Sequence, residues 1–214
     1  MIKAILFDVD GVLVDSDEAI VRSFLHIFSH NHLPMPARKE IVKSMGKTTE
    51  EWIKALLPKK LAKNKKVIEK LAREMNFVYP RIYFPLLAKP FPRTSEVLYV
   101  LSRKYRLAVI TNEYKRVALR VLARLELLHY FPFLATRENA RHGKPSPELI
   151  LKALKKLCVK KSEALYVGDT AIDLTAGKKA GVKTVLLLHE RNKQLKAKYK
   201  IRSLSELVSL AGRL

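Results

Sequence analysis

The aspartates of this chain are few and grouped. Only six occur among 214 residues, at positions 8, 10, 15, 17, 169 and 173, whereas glutamate is scattered along the whole length. Asp8 and Asp10 follow the apolar run Ile2–Phe7. Two apart in extended chain, they project to the same side while Val9 turns away, and Gly11 lets the backbone bend sharply behind them. Asp169 and Asp173 follow a second apolar run, Ala164–Val167, at a spacing that predicts both on one face of the first turn of a helix. Like charges at that spacing cost only about 0.2–0.5 kcal/mol when exposed. Two such pairs converging on one edge would repel far more strongly, and a divalent cation supplies the compensation. An all-oxygen donor set favours Mg²⁺ over zinc or copper. Thr111 adds a hydroxyl behind the run Leu107–Ile110, and Lys144, in Gly143-Lys-Pro-Ser-Pro147, adds a cation ahead of a helical segment. A lysine that reaches the edge where a carboxylate meets a metal neutralises charge on a transferring phosphoryl group. The Lys144 loop is no Walker A motif, because Glu138 stands where that motif requires glycine, and no G-x-G-x-x-G occurs.

These groups need a frame that brings distant segments to one rim. Ile2–Phe7, Leu107–Ile110, Phe133–Ala135, Ala164–Val167 and Val182–Leu188 read as strands. Helix-period segments lie between them at Ser95–Ser102, Arg116–Leu127, Pro147–Leu157 and Leu174–Ala180. Such alternation predicts an α/β fold, a Rossmann-like parallel sheet with helices on both faces, whose ligands bind beyond the carboxyl ends of the strands. From Ser16 to Pro85 no strand is legible, and apolar residues recur at helical spacing in three sets that include Phe24, Trp52 and Leu71. The chain therefore divides into a core of residues 1–15 and 86–214 and an inserted all-helical cap of residues 16–85, with the proline-punctuated stretch Pro85–Pro92 as linker.

Composition narrows the classes. With 48% hydrophobic residues the chain can bury a proper core, and no apolar run approaches the roughly 18 residues of a spanning helix. Asp8 comes too early for a signal sequence and Cys158 stands alone, so the expectation is a cytoplasmic protein without disulfides, contacting no membrane, and a monomer or homodimer. The formal charge of +22 brings anionic partners into consideration, whether nucleic acid, membrane surface or phosphorylated metabolites, without choosing among them.

The residues carry a resemblance. Phe7-Asp-Val-Asp-Gly-Val12, Val109-Ile-Thr-Asn112, Gly143-Lys-Pro-Ser-Pro147 and Tyr166-Val-Gly-Asp-Thr-Ala-Ile-Asp173 occur in the order and at the spacing of haloacid dehalogenase superfamily phosphatases with a helical, C1-type cap, phosphoglycolate phosphatase-like. The resemblance spans nearly the whole chain. It implies that Asp8 is the nucleophile, forming a phosphoaspartate, and also a Mg²⁺ ligand. It implies that Asp10 is the general acid and then base, with its backbone carbonyl on the metal. Thr111 and the Asn112 amide would hold phosphate oxygens, Lys144 would bind both phosphate and Asp8, and Asp169 with Asp173 would hold Mg²⁺ directly or through water. An aspartate at position 10 points to phosphoryl transfer and away from dehalogenation. Two departures lie outside these motifs: Pro92-Arg93-Thr94 stands where many relatives have Pro-Gly, and Phe131-Pro132-Phe133 where Phe-Asp is common.

The implied substrate is a small soluble phosphomonoester, phosphoglycolate-like in the first instance. Gly46-Lys47-Thr48-Thr49 falls where related caps inspect the substrate, so Lys47 and Thr48 are specificity candidates, although Thr48 with Glu51 also fits a helix capping box. Two alternatives stand beside this reading. One is a phosphomutase of the β-phosphoglucomutase type, which shares the nucleophile and the acid/base pair. The other is a non-catalytic basic protein that binds RNA on the same scaffold; nucleic acid is the disfavoured partner, because the basic run from Arg191 to Arg202 has only Tyr199 as an aromatic and reads as a solvated edge.

Overall fold

Ala4–Phe7 forms β1, and every one of its side chains is buried. The computed structural model describes residues 1–214. After β1 come β2 (Val14–Asp15), then α1 (Asp17–His30), α2 (Arg38–Lys43), α3 (Thr49–Leu56), α4 (Lys65–Val78) and α5 (Phe84–Leu87), then β3 (Lys89–Pro90). The chain continues through α6 (Thr94–Ser102), β4 (Arg106–Ile110), α7 (Lys115–Arg124), β5 (Phe133–Ala135), α8 (Glu148–Leu157), β6 (Ala164–Gly168), α9 (Ala171–Ala180), β7 (Lys183–Leu187), β8 (Tyr199–Ile201) and α10 (Ser205–Arg213).

Six strands pair in parallel in the order β5-β4-β1-β6-β7-β8. The alternation of the central strands sorts their side chains onto two faces. Ile5, Phe7, Leu107, Val109, Leu165 and Val167 share one face with Val97, Val121 and Leu207 of α6, α7 and α10. Leu6, Ala108, Ile110 and Tyr166 share the other with Leu149, Ile150 and Ala176 of α8 and α9. Burial on both sides explains why these strands read as continuous apolar runs. The first face is continuous with the inserted helices, which contribute Phe24, Ile27, Trp52 and Leu71 to the same core. No helix is long and apolar enough to cross a membrane.

The strands and helices expected from periodicity are present, with ends displaced by a few residues. Two C-terminal elements were not legible. β8 and α10 sit within and after the basic run, where Lys198, Lys200 and Arg202 hide a three-residue edge strand whose charged flanks also discourage further pairing. The linker differs too. Pro85 lies in the first turn of α5, where its missing N–H costs nothing, and not in an open connection. The return path is instead a short ribbon in which β3 pairs antiparallel with β2, Val14 opposite Pro90 and Asp15 opposite Lys89.

α9 packs tightly on β7: a Cβ at Gly177 would run into the Thr184 hydroxyl. Gly177→Ala gains up to about 1 kcal/mol of helix propensity but overpacks this contact at a cost of about 1–3 kcal/mol. The expected outcome is a lower urea midpoint for the variant, with an unchanged denaturant slope.

Candidate active site

Parallel register decides what meets at the rim. Phe7 of β1 lies level with Val109 of β4 and Val167 of β6. The residues that follow each strand, Asp8, Thr111 and Asp169, therefore emerge together at the carboxyl edge. β1 sits between β4 and β6, where the chain order reverses direction across the sheet, which is where open α/β sheets leave a crevice. A crevice of about 450 Å³, part of it open to solvent, lies there, and its lining includes Asp8, Asp10, Thr111, Asn112, Lys144 and Asp169.

Behind Asp8 and Asp10 the backbone turns at Gly11, with φ +80°. A side chain at this position would strike both the Asp169 carboxylate and the Arg191 guanidinium, so glycine is required for space as well as for conformation. Asp8 is buried, and its Oδ1 lies 2.9 Å from Lys144 Nζ. The same ammonium donates to Asp173 Oδ1 at 2.8 Å and to the Tyr166 hydroxyl at 3.2 Å. Tyr166 in turn donates to Asp173 Oδ1 at 2.5 Å. The Lys144 side chain is 1% exposed, so this is a fully desolvated charge bridge. Removing either partner of such a bridge leaves a buried charge uncompensated, which typically costs about 3–5 kcal/mol.

Asp173 also caps the helix that follows β6. Thr170 is the N-cap of α9 and Asp173 its third residue; each side chain bonds the other's backbone amide, a reciprocal capping box. Asp169 lies before the helix, not in its first turn. Asp173 Oδ2 accepts from the amides of Asp169 and Thr170 and from the Thr170 hydroxyl, while Oδ1 takes Lys144 and Tyr166. With both oxygens engaged, Asp173 acts on the cluster as a fixed charge and an anchor. Asp169 is its complement: Oδ2 accepts from Arg191 Nη2 at 2.5 Å, and Oδ1 is buried with no hydrogen-bond partner.

Charge at this rim does not balance. Five aspartates, Asp8, Asp10, Asp17, Asp169 and Asp173, face two buried or half-buried cations, Lys144 and Arg191. Burial pushes the Asp8 carboxyl well above the usual carboxylate range, with Lys144 opposing and Asp173 and Asp169 adding to the rise. Burial likewise lifts Asp10, against the hydrogen bonds of Ser16 and Tyr79, and lifts Asp169 to about 7, against Arg191. For Asp173 burial is outweighed by Lys144, and the carboxyl falls below its ordinary value. Lys144, pulled down by burial, is raised overall by Asp173 and Asp8. One carboxylate oxygen from each of Asp8, Asp169 and Asp173 lies within 4.8 Å of the other two. An orphaned buried oxygen, an all-carboxylate donor set and a surplus of negative charge fit one hard divalent cation.

The phosphate-binding candidates divide by atom. Asn112 commits its side chain to structure: Oδ1 accepts from the Lys144 amide at 2.7 Å, and Nδ2 donates to the carbonyls of Gly46 and Lys144. That leaves its backbone N–H as the group able to meet an anion. Thr111 is buried on the rim, its hydroxyl accepting from the Glu113 amide at 3.0 Å. Lys47 lines the pocket. Thr48 is held in the capping box of α3 by Glu51 and is absent from the lining.

Four residues of the site escaped the sequence reading. Arg191 belongs to the basic run read as a solvated edge, yet it is 18% exposed and bridges Asp169 to Asp17 at the start of α1. Nothing in its local sequence distinguishes it from its lysine neighbours. Tyr166 did leave a signal, since a tyrosine within an all-buried strand needs a partner for its hydroxyl. Glu113 lines the pocket with its carboxyl pushed up to about 8 by burial and then by Asp10. Tyr79, in the turn after α4, donates to Asp10 Oδ1.

The family model for haloacid dehalogenase-like hydrolases matches residues 5–187. The chain belongs to that family. This hydrolase is 28% identical over 220 residues to the pyrophosphatase PpaX of Halalkalibacterium halodurans, a match covering 99% of this chain and 97% of the relative. It is 32% identical over 190 residues to the phosphoglycolate phosphatase of Aquifex aeolicus, covering 87% and 84% of the two chains. Its fold superposes with a TM-score of 0.84 on a crystal structure of a haloacid dehalogenase-like hydrolase from Bacteroides fragilis, at 25% identity and with 97% and 100% of the chains covered. The hydrolase is an enzyme of the phosphatase type.

The raised Asp169 carboxyl has a consequence for stability. In chelator the folded hydrolase keeps this proton up to about pH 7, whereas the unfolded chain releases it near 3.8. The folded state then binds more protons, so this group's contribution falls as pH rises through that interval. Thermal midpoints of the metal-free protein are expected to carry this downward contribution between about pH 4 and 7. Added Mg²⁺ is expected to restore them most at the upper end, where the carboxylates are ionised and the ion binds best.

Proposed function

We propose that the protein is a Mg²⁺-dependent phosphatase of small soluble phosphomonoesters that works through a phosphoaspartate on Asp8. The observation that carries this reading is the buried Lys144 ammonium bridging Asp8 and Asp173, beside the unpartnered Asp169 Oδ1, at the carboxyl edge of the sheet. Asp8 and Asp169, with the Asp10 carbonyl, would hold the ion, and Asp173 would support it indirectly. When bound, the ion supplies charge neutralisation for the phosphoryl oxygens and for the nucleophile. Asp8 attacks phosphorus, the bond to the leaving oxygen breaks, and Asp10 gives that oxygen its proton. Asp10 then takes a proton from the water that attacks the phosphoaspartate, and the bond between phosphorus and Asp8 breaks. Thr111, the Asn112 N–H and Lys144 hold the phosphoryl oxygens throughout. The division into a core of residues 1–15 and 86–214 and a cap of residues 16–85 follows the β2–β3 ribbon, and the cap excludes water during transfer.

The substrate carries a second anionic group. Lys47, in the loop before α3, lines the same pocket as Asp8, Thr111 and Lys144 and brings a further cation to it. Phosphoglycolate and pyrophosphate both have this form, and the curated relatives bear those two activities in their names. Asp8→Asn is expected to lower phosphate release from any ester by at least about a thousandfold while leaving the fold intact, judged by circular dichroism. Turnover at the parent rate would overturn the mechanism. Salt-sensitive RNA binding by a protein inactive on a metabolite panel would favour the RNA-binding alternative. An isomerised sugar phosphate formed without release of inorganic phosphate would favour a mutase. Lys47→Ala is expected to raise KM about tenfold, one charge-assisted contact, for phosphoglycolate or pyrophosphate. It should leave kcat on p-nitrophenyl phosphate unchanged.

A further inference from the structure

The acid/base candidate is gripped from outside its own domain. Both protein hydrogen bonds to the Asp10 carboxyl fall on one oxygen: the Ser16 hydroxyl donates to Oδ1 at 2.6 Å and the Tyr79 hydroxyl at 2.5 Å. Ser16 lies between β2 and α1, where the chain leaves the core, and Tyr79 lies in the π-helical turn Tyr79–Tyr83 that ends α4. Tyr79 is not free to wander. Its ring is buried and packs edge-on against Phe84 at 5.6 Å and 81°, and its backbone N–H bonds the Met75 carbonyl within the helix. The phenol is therefore carried rigidly by the cap.

A carboxyl oxygen that accepts two hydroxyl protons is a poor place for a third. The second oxygen is where a transferable proton sits. We propose that Tyr79 is a positioning residue: its cap-borne hydrogen bond saturates Oδ1 of Asp10 and leaves Oδ2 as the oxygen that gives the proton to the leaving group and takes one from water. This rests on the acid/base role assigned to Asp10 above. It adds that the seated cap contributes to the orientation of the acid, so that proton transfer is fastest when Tyr79 is in place. Without that bond the carboxyl can rotate about its Cβ–Cγ axis, and its proton is presented in the productive direction for only part of the time.

The experiment compares two esters in single-turnover quench measurements of phosphoryl transfer with Mg²⁺ present. p-Nitrophenyl phosphate loses a stable phenolate and needs little protonation, whereas β-glycerophosphate must have its leaving oxygen protonated. Tyr79→Phe keeps the ring and its packing, and an unchanged thermal midpoint verifies the fold. The variant is expected to slow transfer from β-glycerophosphate about tenfold, a part of the roughly hundredfold or more that a general acid supplies. Transfer from p-nitrophenyl phosphate should stay within about twofold and both KM values should be unchanged, since that ester draws little on the acid. A merely structural role would slow both esters alike; that result, or no slowing of either, overturns the proposal. Asp10→Ala run in parallel separates the two levels. Selective slowing of β-glycerophosphate by Asp10→Ala upholds the acid role whatever Tyr79→Phe does. Equal slowing of both esters would overturn the acid role and the Tyr79 proposal with it.

Discussion

Everything at the rim depends on placing carboxylates where water cannot solvate them. Burying an ion costs several kcal/mol even after the protein relaxes, and a cluster of like charges adds mutual repulsion. The hydrolase meets that cost in graded ways. Asp173 is neutralised outright by Lys144, Tyr166 and three donors around the N-terminus of α9. Asp169 is half neutralised by Arg191, with one oxygen left bare. Asp8 shares Lys144 and lines the pocket. The gradient separates the three: the most satisfied carboxylate is held by the scaffold, and the less satisfied ones line the pocket with acceptor capacity to spare.

Strand register turns that gradient into a site. A slip of one residue in β1 would rotate Asp8 from the pocket to the opposite face. Both neighbours of β1 fix it, and the Asp8 amide itself donates to the Val167 carbonyl at 2.9 Å. The apolar residues on both faces of these strands therefore serve placement as much as stability, because a slip would carry Asp8 away from Lys144 and force both buried faces to repack.

The parts of this arrangement that were legible in the sequence are those with a short-range signature. An apolar run ending in Asp8 and Asp10 declares a buried strand delivering charge, and Gly143-Lys144-Pro145 declares a lysine held by a turn before a helix. Reading Asp169 and Asp173 as a pair in the first turn of one helix erred because the helix starts two residues after Asp169, and the reciprocal cap of Thr170 and Asp173 was not read. Arg191 and Tyr79 were illegible for another reason. Their partners lie 22 and 69 residues away, and a charge or a phenol in a helical or basic stretch carries no mark of what it will meet. β8 and α10 were hidden because edge elements need little apolar sequence to form.

The ribbon of β2 and β3 has a mechanical meaning. The inserted helices leave and rejoin the sheet through outgoing and incoming strands that are hydrogen-bonded to each other. Two separate tethers would each bend alone; paired in one leaf, they hold the departing and returning chain in register, Val14 opposite Pro90 and Asp15 opposite Lys89. Ser16, the next residue, is thereby placed with its hydroxyl 2.6 Å from Asp10 Oδ1.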